Sequence, residues 1–244
     1  MRAPARALLA GLAIVVGLPL VGASAPAPAA AGARTVASVH PSFQPDRLGA
    51  STALTLALRY SSDEEEGVPS PVRTIVVQLP AGLGIDLRGV LTCPAARLRR
   101  EGSDGCPSAS LLGRGHAALE VHAGSQTLPE RTAVWAFRGP DRGPSPTLEI
   151  LSQGYTPLDE RTLSTGVLRG EGAPYGSELT LSIPAIPTLV YEPDASIASL
   201  SLTIGRGGVL AVPRSCPPGG FPFATASTFA DGSHATATAS LPCP

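Results

Sequence analysis

From residue 51 to residue 60 the chain alternates: Leu54, Leu56, Leu58 and Tyr60 fall on one side of an extended backbone, Ala53, Thr55, Ala57 and Arg59 on the other. Successive side chains of a strand point to opposite faces, so this segment predicts a half-buried strand with its leucine face inward. Similar period-two stretches, rich in β-branched residues and bounded by Gly and Pro, cover 72–79, 117–122, 132–137, 147–151, 162–168, 178–183, 196–204, 208–212, 224–229 and 234–241. Beyond the first 33 residues helical periodicity is almost absent, and only 93–105 has helix-compatible content, in Pro94-Ala95-Ala96-Arg97-Leu98-Arg99-Arg100. This is the all-β pattern, and it predicts an antiparallel β-sandwich of immunoglobulin-like or jelly-roll-like type.

Turn chemistry adds two pairings. The acidic run Asp63-Glu64-Glu65-Glu66-Gly67 reads as a solvated turn and predicts a hairpin between 51–60 and 72–79. Ala230-Asp231-Gly232-Ser233 is the stronger signal, because an Asp-Gly step supplies the positive φ that a tight hairpin needs, and it pairs 224–229 with 234–241. The register brings Cys216 close to Cys243, with Pro217-Pro218-Gly219-Gly220 absorbing the offset. Four cysteines allow three pairings. The hairpin favours Cys216 with Cys243, leaving Cys93 and Cys106 to staple the Arg-rich loop between them. Gly139-Pro140-Asp141-Arg142-Gly143-Pro144-Ser145-Pro146 reads as a surface loop or as a linker between two small domains; one domain over 34–244 is the preferred organisation.

The N-terminus changes the picture of where the chain works. Arg2 and Arg6 precede an apolar stretch over 7–21, followed by the Ala-x-Ala exits Ala23-Ser24-Ala25 and Ala31-Gly32-Ala33. That order is a secretory signal, expected to span 1–33 with cleavage after Ala33, since the earlier exit would leave Pro26 first. Gly17, Pro19 and Gly22 interrupt a stretch shorter than the roughly 20 residues a bilayer requires. No Cys follows it to take a lipid, and no second hydrophobic run precedes Pro244. A secreted or envelope-held protein with no membrane span after signal cleavage is expected, in a compartment where disulfides persist.

All 18 basic residues are Arg against 19 acids, giving a net charge of −1. Without a dense basic face beyond Arg97, Arg99 and Arg100, nucleic acid is not an expected partner. The cysteines lack the tight C-x-x-C spacing of a zinc site. His116, Glu120 and His122 share one strand face, but residues two apart lie about 7 Å from each other, so a metal would need a ligand from another strand. The run Asp63 to Glu66 lacks the spacing and turn glycine of a Ca²⁺ loop. No Gly-x-Ser-x-Gly elbow is present, and Gly113-Arg114-Gly115 and Gly205-Arg206-Gly207-Gly208 read as turns because the Lys-Ser/Thr of a phosphate loop is missing. Glu149, Asp159, Glu160, Glu171 and Glu178 are the acids from which a glycosidase pair would have to be drawn, and no two stand out. Trp135, Phe137, Tyr155, Tyr175 and Tyr191 are read as core packing before a sugar platform.

Leu79-Pro80-Ala81-Gly82-Leu83, then Cys93, then Cys106-Pro107-Ser108-Ala109-Ser110-Leu111-Leu112-Gly113 resembles uncharacterised exported proteins of GC-rich actinobacteria, whose pattern reads LPxGL, C, CPxxSxxG. The ending, Cys216-Pro217-Pro218-Gly219-Gly220 through Asp231-Gly232 to Leu241-Pro242-Cys243-Pro244, is similar to the close of that group. The resemblance implies a single unit and transfers no activity; this chain carries one copy of the pattern where larger relatives carry more.

The expectation is therefore a secreted or envelope-associated β-sandwich with no catalytic, metal or cofactor residues assigned, acting as a binding or structural module. Its expected partner is a cell-envelope polymer or another surface protein. The alternatives are a secreted glycosidase-like hydrolase with paired carboxylates, and a Ca²⁺- or carbohydrate-binding adhesin.

Overall fold

The alternating segments do become strands. In the computed structural model, which describes residues 35–63, 67–123, 126–157, 159–188 and 191–244, they lie in one antiparallel sheet. The expected signal at 1–33 lies outside the described residues. The strands are β1 (Thr35–Gln44), β2 (Ser51–Ser62), β3 (Val72–Pro80), β4 (Gly84–Ile85), β5 (Leu111–Ala123), β6 (Gln126–Arg142), β7 (Ser145–Gln153), β8 (Arg161–Gly170), β9 (Tyr175–Ser182), β10 (Ser196–Ile204), β11 (Leu210–Ala211), β12 (Phe221–Phe229) and β13 (His234–Leu241). A short helix, α1 (Ala95–Glu101), sits where the sequence allows one.

The spatial order is β1-β2-β10-β5-β6-β7-β8-β9-β3-β12-β13, with β11 and β4 continuing from the end of β2. Strands β5 to β9 form a meander, and β13 lies against β1 with no ladder joining them. The arrangement is sandwich-like, but it is made by one long sheet curling over its own inner face, not by two separate sheets. That inner face carries the core: Val39, Leu54, Leu58, Ile75, Val77, Val134, Ile150, Leu181, Phe221 and Phe223 are all buried.

Two sequence expectations fail here. β2 does not form a hairpin with β3: it pairs with β1 and β10, while β3 pairs with β9 and β12. β1 competes successfully for the edge of β2, and its own signal is weak because Pro41 interrupts it and only Thr35, Val39 and Phe43 are fully buried. A proline is tolerated there because one side of β1 has no ladder to donate to. Secondly, Gly113 and Gly115 lie within β5 and not in a turn. A Cβ at either position would come into the backbone of β10 around Ser201 and Thr203, so these glycines permit a close strand approach. The 139–146 segment is a tight reversal between β6 and β7, with Arg142 opposite Ser145. The 208–212 stretch shrinks to the two-residue β11.

The C-terminal hairpin forms as expected, Thr228 opposite His234 through Phe221 opposite Leu241. Both nearest-neighbour disulfides are present. Cys216–Cys243 closes the open end of that hairpin at a Cα separation of 6.0 Å, and Cys93–Cys106 closes the helical loop at 5.6 Å. The loop lies on the outer face of the sheet, where Cys93, Leu98, Leu111, Phe137, Leu151 and Leu163 make a second small core. No helix among the described residues is long and apolar enough to cross a membrane.

Aromatic contacts join the two ends of the sheet across its interior. Phe43 of β1 meets Phe221 and Phe223 of β12 at ring separations of 5.9 and 6.1 Å. Tyr60 of β2 meets Phe229 edge-on at 5.6 Å and shares a 2.7 Å hydrogen bond with Ser227 Oγ. Burial pushes the Tyr60 hydroxyl up to about 12, against a smaller lowering by Ser227.

Two outcomes follow from these contacts. The unfolded chain releases the Tyr60 proton near its ordinary value of 10.0 while the folded one holds it to about 12, so stability falls as pH rises between those values. Tyr60→Phe removes that component of the alkaline loss and, by leaving Ser227 without its partner, costs about 1 kcal/mol near neutrality; urea melts at pH 7 and pH 11 measure both. Replacing Cys216 and Cys243 together by Ser costs about 3.5 kcal/mol in the chain-entropy account for a separation of 27 residues, read as a lower urea midpoint.

Candidate functional site

The sequence-nominated residues disperse. His116, Glu120 and His122 share the outer face of β5 while Ala117, Leu119 and Val121 point inward, as the alternation requires. Across the neighbouring strands they face Ser201 and Ala133, Ser196 and Pro129, and Thr127. None of these supplies a third strong ligand, and no group of three His, Cys, Asp or Glu able to hold a metal occurs among the described residues. Of the acidic run, 64–66 lies outside the described residues. Phe137 is buried, Trp135 packs on the small outer core, and Tyr155 and Tyr191 are exposed, so the aromatics form no platform.

The candidate acids are engaged separately. Asp159 accepts from Gln153 Nε2 at 3.0 Å, Glu171 from Gln78 Nε2 at 2.6 Å, and Glu178 from Thr180 Oγ1 at 3.1 Å. Glu149 is buried on the outer face of β7, directly opposite Thr165, whose hydroxyl donates to it at 2.9 Å. Burial raises its carboxyl above the ordinary range, opposed by that hydrogen bond and by the charges of Arg142 and Arg99.

The feature that sequence reading did not anticipate lies inside the curled sheet. A cavity of about 100 Å³ is lined wholly by Leu, Ile and Val, among them Leu56 of β2, Leu179 of β9 and Leu200 of β10. These three are on inner-face positions yet only partly buried, so the facing walls of the sheet do not close on one another there. The aromatics explain the gap: they sit together at β1, β2 and β12, and shorter leucines are left to span the other half. Gly166 of β8 adds no side chain between Leu148 and Leu179. By the measured cost of unfilled core volume, an empty space of this size destabilises by about 2 kcal/mol. Apolar cavities of roughly this scale, about 150 Å³, stay dry and accept small hydrocarbons.

A second pocket of about 40 Å³, mostly apolar but with several polar side chains in its wall, adjoins it toward the end bearing the β7–β8 and β9–β10 loops, sharing Ile150, Leu181 and Leu200. Glu130, Thr132, Glu160, Thr162 and Ser164 line it, and Glu130 is 1 % exposed. Glu130 was not among the acids nominated from sequence. Its inward position follows from the alternation of β6, with Glu130, Thr132 and Val134 on one face, but a glutamate in that pattern reads as an outward residue.

The opposite end is crossed by a strap that continues from β3. Gly84 and Ile85 pair with Ala211 and Leu210, and Asp86 N–H donates to Val209 O at 2.9 Å. Arg138 Nη1 donates to Leu87 O at 2.5 Å and to Val90 O at 2.9 Å. Ile85 and Leu87 line the leucine cavity on one side and two outer grooves, of about 560 and 550 Å³, on the other. Comparison with models of known protein families, with curated proteins and with solved structures finds no match for the chain.

The raised Glu149 carboxyl has a pH consequence. The folded state holds this proton more tightly than the unfolded chain, so its contribution falls as pH rises from the ordinary value of 4.5 through the raised one and is flat beyond. Glu149→Gln keeps an acceptor for Thr165 and abolishes that decline, so the variant gains on the parent between pH 4.5 and pH 8. Urea midpoints of both proteins across that range measure the difference.

Proposed function

We propose that the chain is an exported, non-catalytic binding module of the cell envelope, presenting a sheet face to an envelope polymer. The observation that carries this reading is the contrast between the two outer faces. Over β6 to β8 the sheet is covered by the stapled α1 loop; over β1, β2, β10 and β5 it is left open and is lined by small hydroxyl and polar side chains. Ser42, Thr55 and Thr203 form a row across three strands, with a 2.7 Å hydrogen bond between the last two, and Arg59, Ser201 and His116 continue the surface. An open strip of hydroxyls on the outer side of the sheet suits the hydroxyls of an extended glycan better than it suits bond cleavage, which needs a concave, water-excluding setting.

The acids support the same side. Glu130 and Glu160 do line one pocket, but at about 40 Å³ it is smaller than a cavity that admits benzene, and a sugar ring does not fit. Two disulfides and the secretory signal read at 1–33 support export.

The test is co-sedimentation of the purified exported protein with insoluble cell-wall glycan, with reducing ends assayed in the supernatant. Binding without release of reducing ends is expected. Thr55→Arg combined with Ser201→Arg, both on the open face, should weaken binding by about tenfold, equivalent to about 1.4 kcal/mol. Release of reducing ends would make the protein a hydrolase, and binding untouched by the two arginines would remove the open face from the account.

A further inference from the structure

We propose that the leucine-lined cavity, together with the groove beside Pro144 and Pro146, is a binding site for a single unbranched hydrocarbon chain carrying an anionic head. The inference goes beyond the open-face reading and does not depend on it. Three observations converge. The cavity offers a ligand no polar side chain at all, so only hydrocarbon fits it without stranding a polar group. It is small, about 100 Å³, which is room for the end of one chain and less than the roughly 150 Å³ cavity that takes a single benzene ring. Its wall toward solvent is thin: Ile85, Leu87 and Leu168 face the cavity and also line the outer groove of about 550 Å³.

That groove supplies the head's partner. Its one charged residue is Arg169, exposed near the end of β8, and no acid lines the groove. Glu178 stands opposite Arg169 in the β8–β9 register but accepts from Thr180, and Arg169 has no ion pair among the described residues. The groove on the other side of the strap is a poorer candidate for an anion, since Arg88 there is held by Asp86 and Arg138 reaches Asp141 and the strap carbonyls. The chain therefore enters between Leu87 and Leu168, with its terminal methylenes among Leu56, Leu179 and Leu200 and its head at Arg169. Entry needs side-chain rotation of Ile85 and Leu87, a fast motion that leaves the strap's backbone bonds in place.

Isothermal titration of the delipidated exported protein with decanoate, with decan-1-ol and with 1-decanoyl lysophosphatidylglycerol, at two temperatures, decides it. Decanoate is expected to bind at one per chain with a negative heat-capacity change, the mark of apolar burial, and decan-1-ol at least fivefold more weakly. Arg169→Gln, a surface change, should bring decanoate down to the affinity of the alcohol and leave the alcohol unchanged. Leu200→Phe, which fills the cavity, should abolish binding of both. Tighter binding of the lysophospholipid would identify a lipid headgroup as the natural anion, and tighter binding of decanoate a free fatty acid. Absence of saturable binding by any of the three, or full binding by a Leu200→Phe protein with a parental circular dichroism spectrum, would overturn the site. An Arg169→Gln protein that binds decanoate as the parent does would overturn the placing of the head. Glycan co-sedimentation of the same preparations separates the two proposals, because neither variant touches the open face.

Discussion

The contacts of Phe43 and Tyr60 with Phe221, Phe223 and Phe229 hold the two ends of one long sheet over each other, and the interior exists because they do. A sheet buried on one face has to place that face against something. Here it is placed against itself. The contacts are long-range in sequence, Tyr60 to Ser227 spanning 167 positions, so the curl cannot be set by local turns and has to be fixed by tertiary packing. Placing the rings of the inner core, Phe43, Tyr60, Phe221, Phe223 and Phe229, at one side also sets the width of the interior. The rings hold the walls at their own spacing, and the leucines of the neighbouring strands β2 and β10 are too short to close on Leu179 of β9 across it. The cavity is thus a consequence of where the aromatics are, not of a missing residue.

The two disulfides act on what the curl leaves loose. Cys216–Cys243 ties the end of the β12–β13 hairpin, the last element of the sheet and the one that lies beside β1 without a ladder. Cys93–Cys106 fixes the α1 loop on the outer face of β6 to β8, where Cys93 N–H also donates to Arg138 O at 2.8 Å. Arg138 in turn holds the strap through Leu87 O and Val90 O. The stapled loop, the middle of the sheet and the strap over the cavity are therefore linked through one strand, β6. The strap's backbone is anchored at Arg138 through Leu87 O and at the two-residue ladder with β11 through Ile85, so the two residues that face the cavity are held by their main chain and not by polar side-chain bonds.

What the sequence made legible, and what it did not, follows the range of each interaction. Strand positions were legible because the period of two is a local property: β2, β3, β7, β10, β12 and β13 all contain the segments read from alternation. The C-terminal hairpin and its disulfide were legible because Asp231-Gly232 fixes a register that then carries Cys216 toward Cys243. The partner of β2 was not, because nothing in 51–60 encodes a preference for the weakly patterned 35–44 over 72–79; the choice is made when the whole inner face closes. The glycines at 113 and 115 looked like turn residues because the sequence shows their backbone freedom and hides the close approach of β10. Glu130 escaped notice for a similar reason: only the paired strands show that its side of β6 is the inner one.

The cavity could not have been read from any window of the chain, since its lining comes from β2, β3, β5, β7, β8, β9 and β10 at once, each contributing residues that look like ordinary core. Its chemistry still bears on selection. A natural core tends to close to a packing density of about 0.74 to 0.76, and an unfilled space of about 100 Å³ forfeits stability that a single longer side chain would restore. Leu179 and Leu200 are on the inner face and only partly buried, so room for a larger residue is present at both positions. A packing defect with no use would be open to filling by a one-step change at either site. Its lining of Leu, Ile and Val alone, beside a groove whose one charge is Arg169, is the arrangement expected where the space is kept for a ligand that completes the core.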